Sequence, residues 1–431
     1  MLYKIKQKLR KIIPYGIILF THKIRAVLAA VIFGFQGRKI RVIGVAGTKG
    51  KTTTVNMIAK VLEEGGYKVA MLSTANFQIG EKKWLNNIKL TTTSPFYFQK
   101  FLRRAKKEKC DYVIVEISSH GLVQFRHWGV KYKTVVLTNM MSDHLDYHKT
   151  SENYKNSHNA LMSKDLENII INYDDKDLRS FLNFKGPKKY IFTLKSYKEI
   201  ENFKLIRAED IVFKKEGSEF LIKTDKGEMP VQLPLIGEFN IYNSLATTAL
   251  GLAENIKPFA IKKALESIKN IPGRLEKIQE GQNFEVIVDY AHSPDSLDNV
   301  YSAIKPTVQN RMIAVLGGTG DRDKTYRARG GELADKYADI VIVTNEDPYS
   351  EDPEEIIDQV VVGIKNKISD KTFFRISERK EAIQKAINLA QKDDLVIITG
   401  KGAEQFMICK EEKIPWDDRE VARKALKNRK V

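Results

Sequence analysis

The sequence predicts an α/β protein with two successive parallel-sheet domains. From residue 40 onward, short β-rich runs alternate with stretches of helical periodicity, as in a parallel sheet with crossover helices. The alternation starts again after "NIPGRLEKI", which places a domain boundary near Pro272. A chain of 431 residues has room for two or three domains, each with its own core. We therefore expect an N-terminal segment (1–40), a central domain (41–271) and a C-terminal domain (272–431).

The N-terminal segment is basic and partly apolar. It carries nine Lys or Arg and no acid, which is half of the net charge of +18. Its apolar runs "KIIPYGIILF" and "AVLAAVIFGF" are separated by Lys23 and Arg25, and neither approaches the about 18–20 residues that span a bilayer. Two interpretations stay open, a basic amphipathic segment on anionic lipid and a helix packed on the protein body. A cleaved signal peptide is disfavoured, because no small-residue cleavage site follows.

Composition narrows the class of protein. The charge favours an anionic partner, which could be nucleic acid, anionic lipid, or a phosphorylated or polycarboxylate substrate. No aromatic residues interleave the basic runs as in a single-strand binding platform, so we expect no nucleic-acid partner. Cys110 and Cys409 are the only cysteines, which excludes a disulfide framework and predicts a reducing, cytoplasmic compartment.

The elements follow in order. Predicted strands of the central domain are "KIRVIGVAG", "YKVAMLST", "CDYVIVEIS", "KTVVLTN" and "ENIIINYD". Between residues 185 and 235 the strands are expected to be shorter and Lys-rich, forming an antiparallel annex, before the helical segment "NIYNSLATTALGLAENI". Predicted strands of the C-terminal domain, which we expect to be Rossmann-like, are "FEVIVDYAH", "RMIAVLGG", "ADIVIVTNEDP" and "DDLVIITG".

The stretch "GVAGTKGKTTTVNMIAKVL" predicts a phosphate-binding loop between the first strand and a helix. Its glycines free backbone N–H groups for phosphate oxygens, Lys51 supplies a positive charge, and Thr52 supplies a hydroxyl for Mg²⁺. The spacing differs from the usual Walker A motif, because five residues rather than four separate Gly44 from Gly50. The alternative is a tight strand-to-helix turn. The central domain is therefore expected to be a P-loop-type ATPase domain.

Further polar stretches follow other strands. Glu116 in "VEISSHGLVQFR" is a candidate Mg²⁺ ligand, the alternative being a helix-capping charge. The stretch "TNMMSDHLDYHKTSENY" suggests a second metal site or a polar cluster. Asn240 and Asn243 share a helix face, and "VDYAH" ends a strand at Asp289; taken singly, each is a cap or turn rather than a ligand.

Taken together, these stretches resemble the Mur ligases, and within them the UDP-N-acetylmuramyl-tripeptide synthetases. The motifs occur in the family's order: "GTKGKTTT", "EISSHGLVQFR", "TN…DHLDYH…ENY", "GEFNIYNSLA", "PGRLE", "VDYAHSPDSL", "GGTGDRDKTYR", "TNEDPYSEDP", "GKGAE" and "DDREVARKAL". The resemblance runs from about residue 41 to the C-terminus. It implies an ATP-dependent ligase that adds an amino acid to the carboxylate of UDP-N-acetylmuramyl-dipeptide through an acyl phosphate, forming ADP and phosphate.

The resemblance also implies roles for individual residues. The ATP-binding set would be Gly47, Thr48, Lys49, Gly50, Lys51, Thr52, Thr53, Asn243, Arg274 and Asp289. The Mg²⁺ ligands would be Thr52, Glu116 and His144, and the catalytic set Lys51, Glu116, His144 and His158. The UDP-muramyl-peptide set would be Thr91, Thr92, Ser118, Gln124 and Arg126. The amino-acid set would be Arg322, Glu346, Asp347, Pro348, Tyr349, Gly400 and Glu404. We expect a monomer whose two domains close near Pro272.

The chain departs from the family pattern in several places. The N-terminal segment stands where the family has a full UDP-binding domain, and His158 stands at the position of a carbamylated lysine. Enzymes that choose diaminopimelate carry Asp-Asn-Pro-Arg where this chain has Glu346-Asp347-Pro348-Tyr349. Without the arginine fork a second carboxylate loses its clamp, so diaminopimelate is not the expected amino acid. Thr93 and Ala403 replace a common proline and histidine.

Three alternatives stay open. One is a Mur-like ligase acting on another carboxylate, such as a folate polyglutamate or a polyamide. "SSHGLVQFR" and "DDREVARKAL" argue against folate, since the resemblance assigns them to the muramyl branch. The others are an ATPase directed to membrane or nucleic acid by the basic N-terminus, and a catalytically inactive scaffold, for which His158 is the one argument.

Overall fold

The computed structural model describes residues 13–141, 145–195, 202–410 and 412–429. These residues form two compact units. The first contains the chain up to Trp84, Leu90–Pro234 and Glu238–Lys269. The second contains Leu85–Lys89, Leu235–Gly237 and the chain from Asn270 onward. Each unit holds one main sheet with helices, so the predicted α/β class is confirmed.

The first unit is built on a sheet of eleven strands. They are β1 (Arg41–Ala46), β2 (Val69–Leu72), β3 (Asn76–Ile79), β4 (Lys82–Leu85), β5 (Tyr112–Glu116), β6 (Tyr132–Leu137), β7 (Asn168–Asn172), β8 (Lys188–Thr193), β9 (Lys204–Lys214), β10 (Gly217–Thr224) and β11 (Gly227–Leu233). Their order is β11-β10-β9-β8-β7-β6-β1-β5-β2-β3-β4. From β9 to β2 all neighbours are parallel. Strands β5 and β7 are buried along their whole length, as expected for parallel strands with both faces covered.

Helices of the first unit lie between these strands. They are α1 (Tyr15–Phe33), α2 (Lys51–Glu64), α3 (Pro95–Lys107), α4 (Ser119–Val123), α5 (Leu145–His148), α6 (Ser151–Ser157), α7 (Glu238–Ala253) and α8 (Pro258–Ser267). Helix α2 begins directly after Gly50 and ends before the glycine pair Gly65-Gly66. Helix α3 begins where Ser94 accepts a hydrogen bond from the Tyr97 N–H and Pro95 occupies the first helical position.

The Lys-rich strands correct one expectation. They are not short, since β9 has 11 residues and β10 has 8, against 6 in β1. Strand β9 is parallel to β8 and antiparallel to β10, which is antiparallel to β11. The expected antiparallel pairing is therefore present in β9, β10 and β11, and these strands continue the main sheet. Burial alternates along β11, as in an antiparallel sheet with one face in water.

The N-terminal helix corrects a second expectation. The two apolar runs do not remain separate, because Lys23 and Arg25 are good helix formers and do not interrupt α1. The result is one helix of 19 residues with a mean hydropathy of 1.8, long and apolar enough to cross a membrane by length and composition. Only its alanines, Ala26, Ala29 and Ala30, are buried.

The second unit has a six-stranded sheet and a small hairpin. The sheet strands are β12 (Glu276–Lys277), β13 (Glu285–Asp289), β14 (Met312–Leu316), β15 (Ile340–Val343), β16 (Phe373–Arg375) and β17 (Leu395–Thr399); the hairpin strands are β18 (Phe406–Cys409) and β19 (Glu412–Pro415). The sheet order is β12-β13-β17-β14-β15-β16, parallel except for β12. The helices are α9 (Pro294–Ile304), α10 (Thr325–Tyr337), α11 (Pro353–Val361), α12 (Arg379–Leu389) and α13 (Asp418–Lys427). Apolar cores lie on both faces of the sheet, as in a doubly wound fold.

Candidate active site

The predicted phosphate loop lies between β1 and α2, and its two glycines are required by their surroundings. Gly47 has a φ of 135°, and a Cβ atom there would lie 2.3 Å from the Thr138 hydroxyl oxygen. Gly50 has a φ of 79°, and its Cβ would lie 2.4 Å from the Asn243 side-chain oxygen. Any larger residue would strain the backbone and displace these polar neighbours. The loop thus brings its backbone close to the side chain that follows β6 and to a side chain of α7.

Side-chain hydrogen bonds hold the loop. Lys51 Nζ donates to the carbonyl oxygens of Gly47 (2.9 Å) and Thr48 (2.7 Å), so the ammonium lies over the loop. Asn139 Oδ1 accepts from the Lys49 N–H at 2.8 Å, and Asn139 Nδ2 donates to the Lys49 carbonyl oxygen at 3.2 Å. The Thr48 hydroxyl lies 2.9 Å from the Tyr154 hydroxyl. The loop is therefore held from two sides before α2 begins.

Glu116 connects this loop to the strand ends around it. The side chain is buried at the end of β5. Its Oε2 accepts from the Thr52 hydroxyl (2.8 Å) and the Thr74 N–H (2.6 Å), and its Oε1 accepts from the Thr74 hydroxyl (2.8 Å). Thr74 also lies 2.9 Å from the Thr91 hydroxyl oxygen. The Glu116 carboxylate therefore connects the first turn of α2, through Thr74, to Thr91 of the predicted acceptor set.

His158 lies in the same part of the first unit. Its Nδ1 is 3.0 Å from the Tyr154 carbonyl oxygen, and its buried Nε2 has no hydrogen-bond partner within the described chain. Burial lowers the pKa of His158 to about 4, opposed by the Tyr154 carbonyl and assisted by the charge of Lys51, so the imidazole is neutral at pH 7. The predicted ligand His144 lies outside the described residues. Among those described, no group of three or more His, Cys, Asp or Glu could hold a metal ion.

The predicted acceptor residues lie together. Thr92 Oγ1 accepts from the Ser118 N–H and hydroxyl, both at 3.0 Å. Arg126 donates to the Thr92 carbonyl oxygen and, from Nε at 3.0 Å and Nη2 at 2.7 Å, to Gln124 Oε1. These partners are all neutral oxygens. The Arg126 guanidinium is half-buried, and none of these hydrogen bonds within the described chain is to a carboxylate. Its positive charge could therefore pair with an anionic ligand.

Asn243 and Thr53 complete the predicted set in the first unit. Asn243 Oδ1 accepts from the Thr54 hydroxyl at 3.2 Å, and its Nδ2 donates to Asn240 Oδ1 at 3.1 Å. The side chain thereby stays beside Gly50. Thr53 is buried in the first turn of α2, next to Thr52.

In the second unit, Asp289 and Arg274 lie beside the first parallel strand. Asp289 ends β13, and its carboxylate accepts from the N–H groups of Leu275 and Ala291, both at 2.7 Å. Burial raises the pKa of Asp289, while the Arg274 guanidinium and the two N–H groups limit the rise. The guanidinium carbon of Arg274 is 4.6 Å from the centre of the Tyr290 ring. These predicted nucleotide-binding residues are therefore neighbours.

Glu346 is a buried carboxyl group of the predicted amino-acid set. The Thr319 hydroxyl donates to its Oε1 at 2.9 Å, and a Cβ atom at Gly400 would lie 2.3 Å from its Oε2. Burial raises the pKa of Glu346 to about 7, and the positive charge of Arg379 limits the rise. Gly400 has a φ of 112° at the end of β17, so glycine leaves the space that this carboxyl group fills.

Asp347 and Glu404 form an acidic pair in contact with two lysines, of which Lys401 is fully buried. Lys401 Nζ donates to Asp347 Oδ2 (2.8 Å), Glu404 Oε2 (2.5 Å) and the Phe406 carbonyl oxygen (2.9 Å). Burial opposes ionisation of Asp347, but Lys401 and Lys89 together lower its pKa. Burial raises the pKa of the neighbouring Tyr349 to about 12.

Pro348 is buried beside these residues. Arg322 is exposed in the loop before α10 and is the predicted amino-acid-binding residue with the weakest connection to the others.

Residues that sequence reasoning missed are Thr74, Asn139, Tyr154, Lys89, Lys401 and Arg379. Four of these residues lie inside stretches given in the sequence analysis, but no local pattern distinguished them: Thr74 as the last residue of "YKVAMLST", Asn139 and Tyr154 in "TNMMSDHLDYHKTSENY", and Lys401 in "GKGAE".

A fully buried ion pair supports the second site. Arg379 donates to both carboxylate oxygens of Asp418 at 2.8 and 2.7 Å, and to the Thr399 carbonyl oxygen at 2.8 Å. A further bond runs to the Asn345 carbonyl oxygen at 3.3 Å. The pair thereby holds the ends of β15 and β17, which carry Glu346 and Gly400. This explains the position of Asp418 in the quoted stretch "DDREVARKAL".

Comparisons with known proteins agree with this architecture. Residues 45–251 match the Mur ligase middle domain, and residues 273–402 match the Mur ligase glutamate ligase domain. The chain is 36% identical over 413 residues to UDP-N-acetylmuramoyl-L-alanyl-D-glutamate–2,6-diaminopimelate ligase of Syntrophomonas wolfei subsp. wolfei, covering 95% of this chain and 83% of that protein. A solved structure of a ligase with the same name matches with a TM-score of 0.63 and 30% identity, over 90% of this chain and 78% of that one. Folylpolyglutamate synthase of Mycobacterium tuberculosis shares the fold, with a TM-score of 0.70 at 15% identity over 87% of this chain and 92% of that one.

Proposed function

This chain belongs to the Mur ligase family of ATP-dependent ligases, and from that premise we propose that it joins an amino acid to the carboxylate of UDP-N-acetylmuramyl-dipeptide. One observation carries the proposal. Glu116 accepts hydrogen bonds from Thr52, in the first turn of the phosphate-loop helix, and from Thr74, which contacts Thr91 of the predicted acceptor set. The predicted phosphate-binding turn and the predicted acceptor set are thus connected through one carboxylate. That arrangement suits the transfer of a phosphoryl group to an acid.

The reaction divides into two steps. The acceptor carboxylate oxygen attacks the γ-phosphorus of ATP, and ADP leaves. The amine of the amino acid then attacks the carbonyl carbon of the acyl phosphate, and the tetrahedral intermediate expels phosphate to leave an amide. Lys51 lies over the loop, where its charge would stabilise the transferring phosphoryl group. Arg126 would hold the anionic acceptor beside it.

The residues present fit Mg²⁺, which prefers oxygen ligands and is commonly held by one or two protein groups together with substrate phosphates. Thr52 and Glu116 would hold it, with His144 as the third predicted ligand. Among the described residues, one hydrogen bond reaches Glu116 Oε1, so this oxygen has a lone pair left for a cation. Nε2 of the neutral His158, which has no hydrogen-bond partner within the described chain, would offer a further lone pair to the ion. When bound, the ion would neutralise charge on the phosphate oxygens.

The second unit would supply the remaining groups. Arg274 and Asp289 would contact the phosphate and ribose of the nucleotide, as Asn243 would contact the adenine. Glu346, Asp347, Tyr349, Gly400 and Glu404 would bind the amino acid, with Arg322 and Pro348 beside them. Tyr349 cannot form the paired hydrogen bonds that an arginine makes to a carboxylate. We therefore propose that diaminopimelate is not the favoured amino acid, although the relatives named above are diaminopimelate ligases.

A product analysis tests this function. The purified chain is incubated with ATP, Mg²⁺, UDP-N-acetylmuramyl-dipeptide and an equimolar pool of amino acids, and the products are identified by mass spectrometry. We expect one amino acid to be added for each ADP released, with lysine or another residue ahead of diaminopimelate. A parallel reaction with a pteroyl-glutamate acceptor tests the alternative ligase. ADP formed only with that acceptor, or with no acid and amine pair, would overturn the proposal. Light scattering on the same preparation checks the expected monomer.

We further propose that α1 places the enzyme on anionic lipid at the cytoplasmic face of a membrane. Large apolar side chains recur along one face of the helix at spacings of three and four residues, and all are more than 40% exposed: Ile17, Phe20, Ile24, Leu28 and Val31. The opposite face carries the small alanines that pack toward α3. This face is the apolar stripe. No acid offsets the basic residues of the N-terminal segment, which favours an anionic surface.

The charges of α1 favour a helix that lies in the interface over one that crosses it. Lys23 and Arg25 flank Ile24, so each lies about 100° around the axis from the centre of the apolar stripe, one on either side. If the helix lies parallel to the membrane surface, the Lys23 and Arg25 side chains both reach the lipid headgroups. In a spanning helix both would enter the hydrocarbon, at about 2.5–3.5 kcal/mol each.

Vesicle flotation tests the membrane contact. The wild type should float with vesicles containing about one-third anionic lipid, and alkaline carbonate should release it, as for an interfacial helix. Replacing Phe20, Ile24 and Leu28 by Ser should abolish flotation. The matched control replaces Phe259 and Val362, which are 76% and 67% exposed elsewhere, by Ser and should float like the wild type. Wild type that stays in solution contradicts the contact, and resistance to carbonate contradicts the lying arrangement.

A further inference from the structure

Lys89 places an ammonium group among the predicted amino-acid-binding residues. It ends the short segment Leu85–Lys89, which belongs to the second unit. Its Nζ contacts Asp347 Oδ2 and lies 2.9 Å from Glu404 Oε2, and the side chain is only 14% exposed. The backbone at Lys89 has a φ of 56°, a left-handed conformation that is uncommon outside glycine. A buried lysine on a strained backbone is held there by its contacts.

The surroundings of Lys89 Nζ are those of an ammonium-binding pocket. Besides the two carboxylates, the ring centres of Tyr349 and Phe406 lie 5.7 and 5.5 Å away, within the range of cation–π contact. Carboxylates and aromatic faces are the groups with which proteins bind organic cations. The pocket formed by Asp347, Glu404, Tyr349 and Phe406 is called the cation pocket below.

Charge counting shows that the cation pocket takes two cations. Lys401 is fully buried and bonds to both carboxylates and to a backbone carbonyl oxygen, so it is a fixed part of the pocket. With Lys401 alone, Asp347 and Glu404 together leave one uncompensated negative charge. An uncompensated buried charge is costly, so a second cation is required. Lys89 supplies it in this structure.

We propose that Lys89 is an internal occupant of the cation pocket, and that the distal ammonium of a diamino-acid substrate displaces it. The proposal rests on the amino-acid site of the proposed function and assigns Lys89 as the residue that competes with the substrate there. A neutral amino acid would leave the pocket with Lys89 in place and gain no ion pair. Lys89 therefore competes with a cationic side chain for the pocket and does not compete with a neutral one.

The alternative role for Lys89, which lies near Tyr349, is to bind a second substrate carboxylate in place of the missing arginine. The contacts disfavour this role. Lys89 Nζ already donates to Asp347 and Glu404, and a substrate carboxylate brought to the same place would face both of these anions. The two roles predict opposite effects when the lysine is removed, so the test separates them.

The experiment compares Lys89→Met, which keeps the apolar stem and removes the charge, with the wild type. Lysine, ornithine, alanine and diaminopimelate are the substrates. The KM for lysine and ornithine should fall at least fivefold in Lys89→Met, because no internal cation competes, with kcat within twofold and the KM for ATP unchanged. Lys89→Arg keeps the charge and should resemble the wild type. Lys83→Met, at a side chain 56% exposed on β4, is the matched control and should change nothing.

A binding readout keeps this inference separate from the proposed function. Reductive methylation of Lys89, followed by peptide mass spectrometry with Lys83 as internal reference, should accelerate severalfold when free lysine is added and not when alanine is added. This acceleration without any ADP formation would support the cation pocket and contradict the ligase substrates proposed above. An unchanged or higher KM for lysine in Lys89→Met, or loss of activity confined to diaminopimelate, would overturn the displacement.

Discussion

Replacing Glu346 by Gln should remove a pH dependence of stability that the wild type carries. Burial raises the pKa of this carboxyl group from 4.5 to about 7. Between these values the folded chain holds a proton that the unfolded chain has released, so the free energy of unfolding falls as the pH rises. A difference of about 2.5 pKa units corresponds to about 3 kcal/mol. The loss begins above pH 4.5 and is complete above pH 7.

Hydrogen exchange measures this effect within the second unit. Peptides covering β14 and β15 report the free energy of opening the sheet that carries Glu346. Exchange is compared between Glu346→Gln and wild type at pH 5, 6, 7 and 8, so that the intrinsic pH dependence of exchange cancels. The stability of the variant relative to wild type should rise by about 2–3 kcal/mol from pH 5 to pH 8.

A neighbouring glutamate gives the control. The Arg327 guanidinium, bonded to both oxygens of Glu351 at 2.7 and 2.9 Å, lowers the pKa of that carboxyl group to about 2. Its stabilisation is present above pH 4.5 and is lost only as the pH falls toward 2. Glu351→Gln should therefore shift stability by the same amount at every pH from 5 to 8. A flat profile for Glu346→Gln as well would show that Glu346 is already ionised at pH 5, and the reasoning from burial would fail.

Three further predictions concern the two sites. Lys51→Ala should lower ADP formation by about 10²–10³-fold with an unchanged circular dichroism spectrum, because the charge over the loop is lost; near-wild-type turnover would contradict its role. Glu116→Gln should raise the Mg²⁺ concentration for half-maximal ADP formation at least about tenfold, and an unaltered Mg²⁺ titration would exclude Glu116 as a ligand. Asp418→Asn should destabilise the second unit by about 3–5 kcal/mol in hydrogen exchange of β17, since Arg379 would stay buried without its partner; a loss below about 1 kcal/mol would show that the pair does not support the strand ends.

Local signals in the sequence predicted the strands and the phosphate loop. The loop could be predicted because the requirement for Gly47 and Gly50 arises within a few residues of strand and helix. Glu116 could be singled out because it ends a strand beside that loop. The prediction was wrong for the length of β9 and for the continuity of α1. Lysines do not interrupt either element, because their long stems allow them to occupy exposed positions of strands and helices.

The contacts of Thr74, Lys89 and Arg379 could not be predicted in the same way. Thr74 meets a carboxylate 42 residues away, and Lys89 meets one 258 residues away. No periodicity or motif connects such positions, because the fold brings them together only after the sheets have formed. A site residue can therefore be predicted from the sequence when it ends a strand. It cannot be predicted in this way when it contacts another side chain that is distant in the sequence.

In both units, a glycine leaves space for a polar side-chain oxygen close to the backbone. In each, a glycine with positive φ follows the end of a parallel strand, and the space of its missing side chain is taken by a polar oxygen from another element. Asn243 Oδ1 fills it at Gly50 and Glu346 Oε2 fills it at Gly400. Backbone N–H groups and a polar side chain can then face the same ligand at the carboxyl end of the sheet, where parallel α/β folds bind their ligands. A carboxyl group in such a place loses water and its pKa rises, as at Glu346. Within the described chain, the Thr319 hydroxyl donates to Glu346, whereas two hydroxyl groups and one N–H donate to Glu116. The two units therefore share the steric arrangement and differ in the donors around their carboxyl groups.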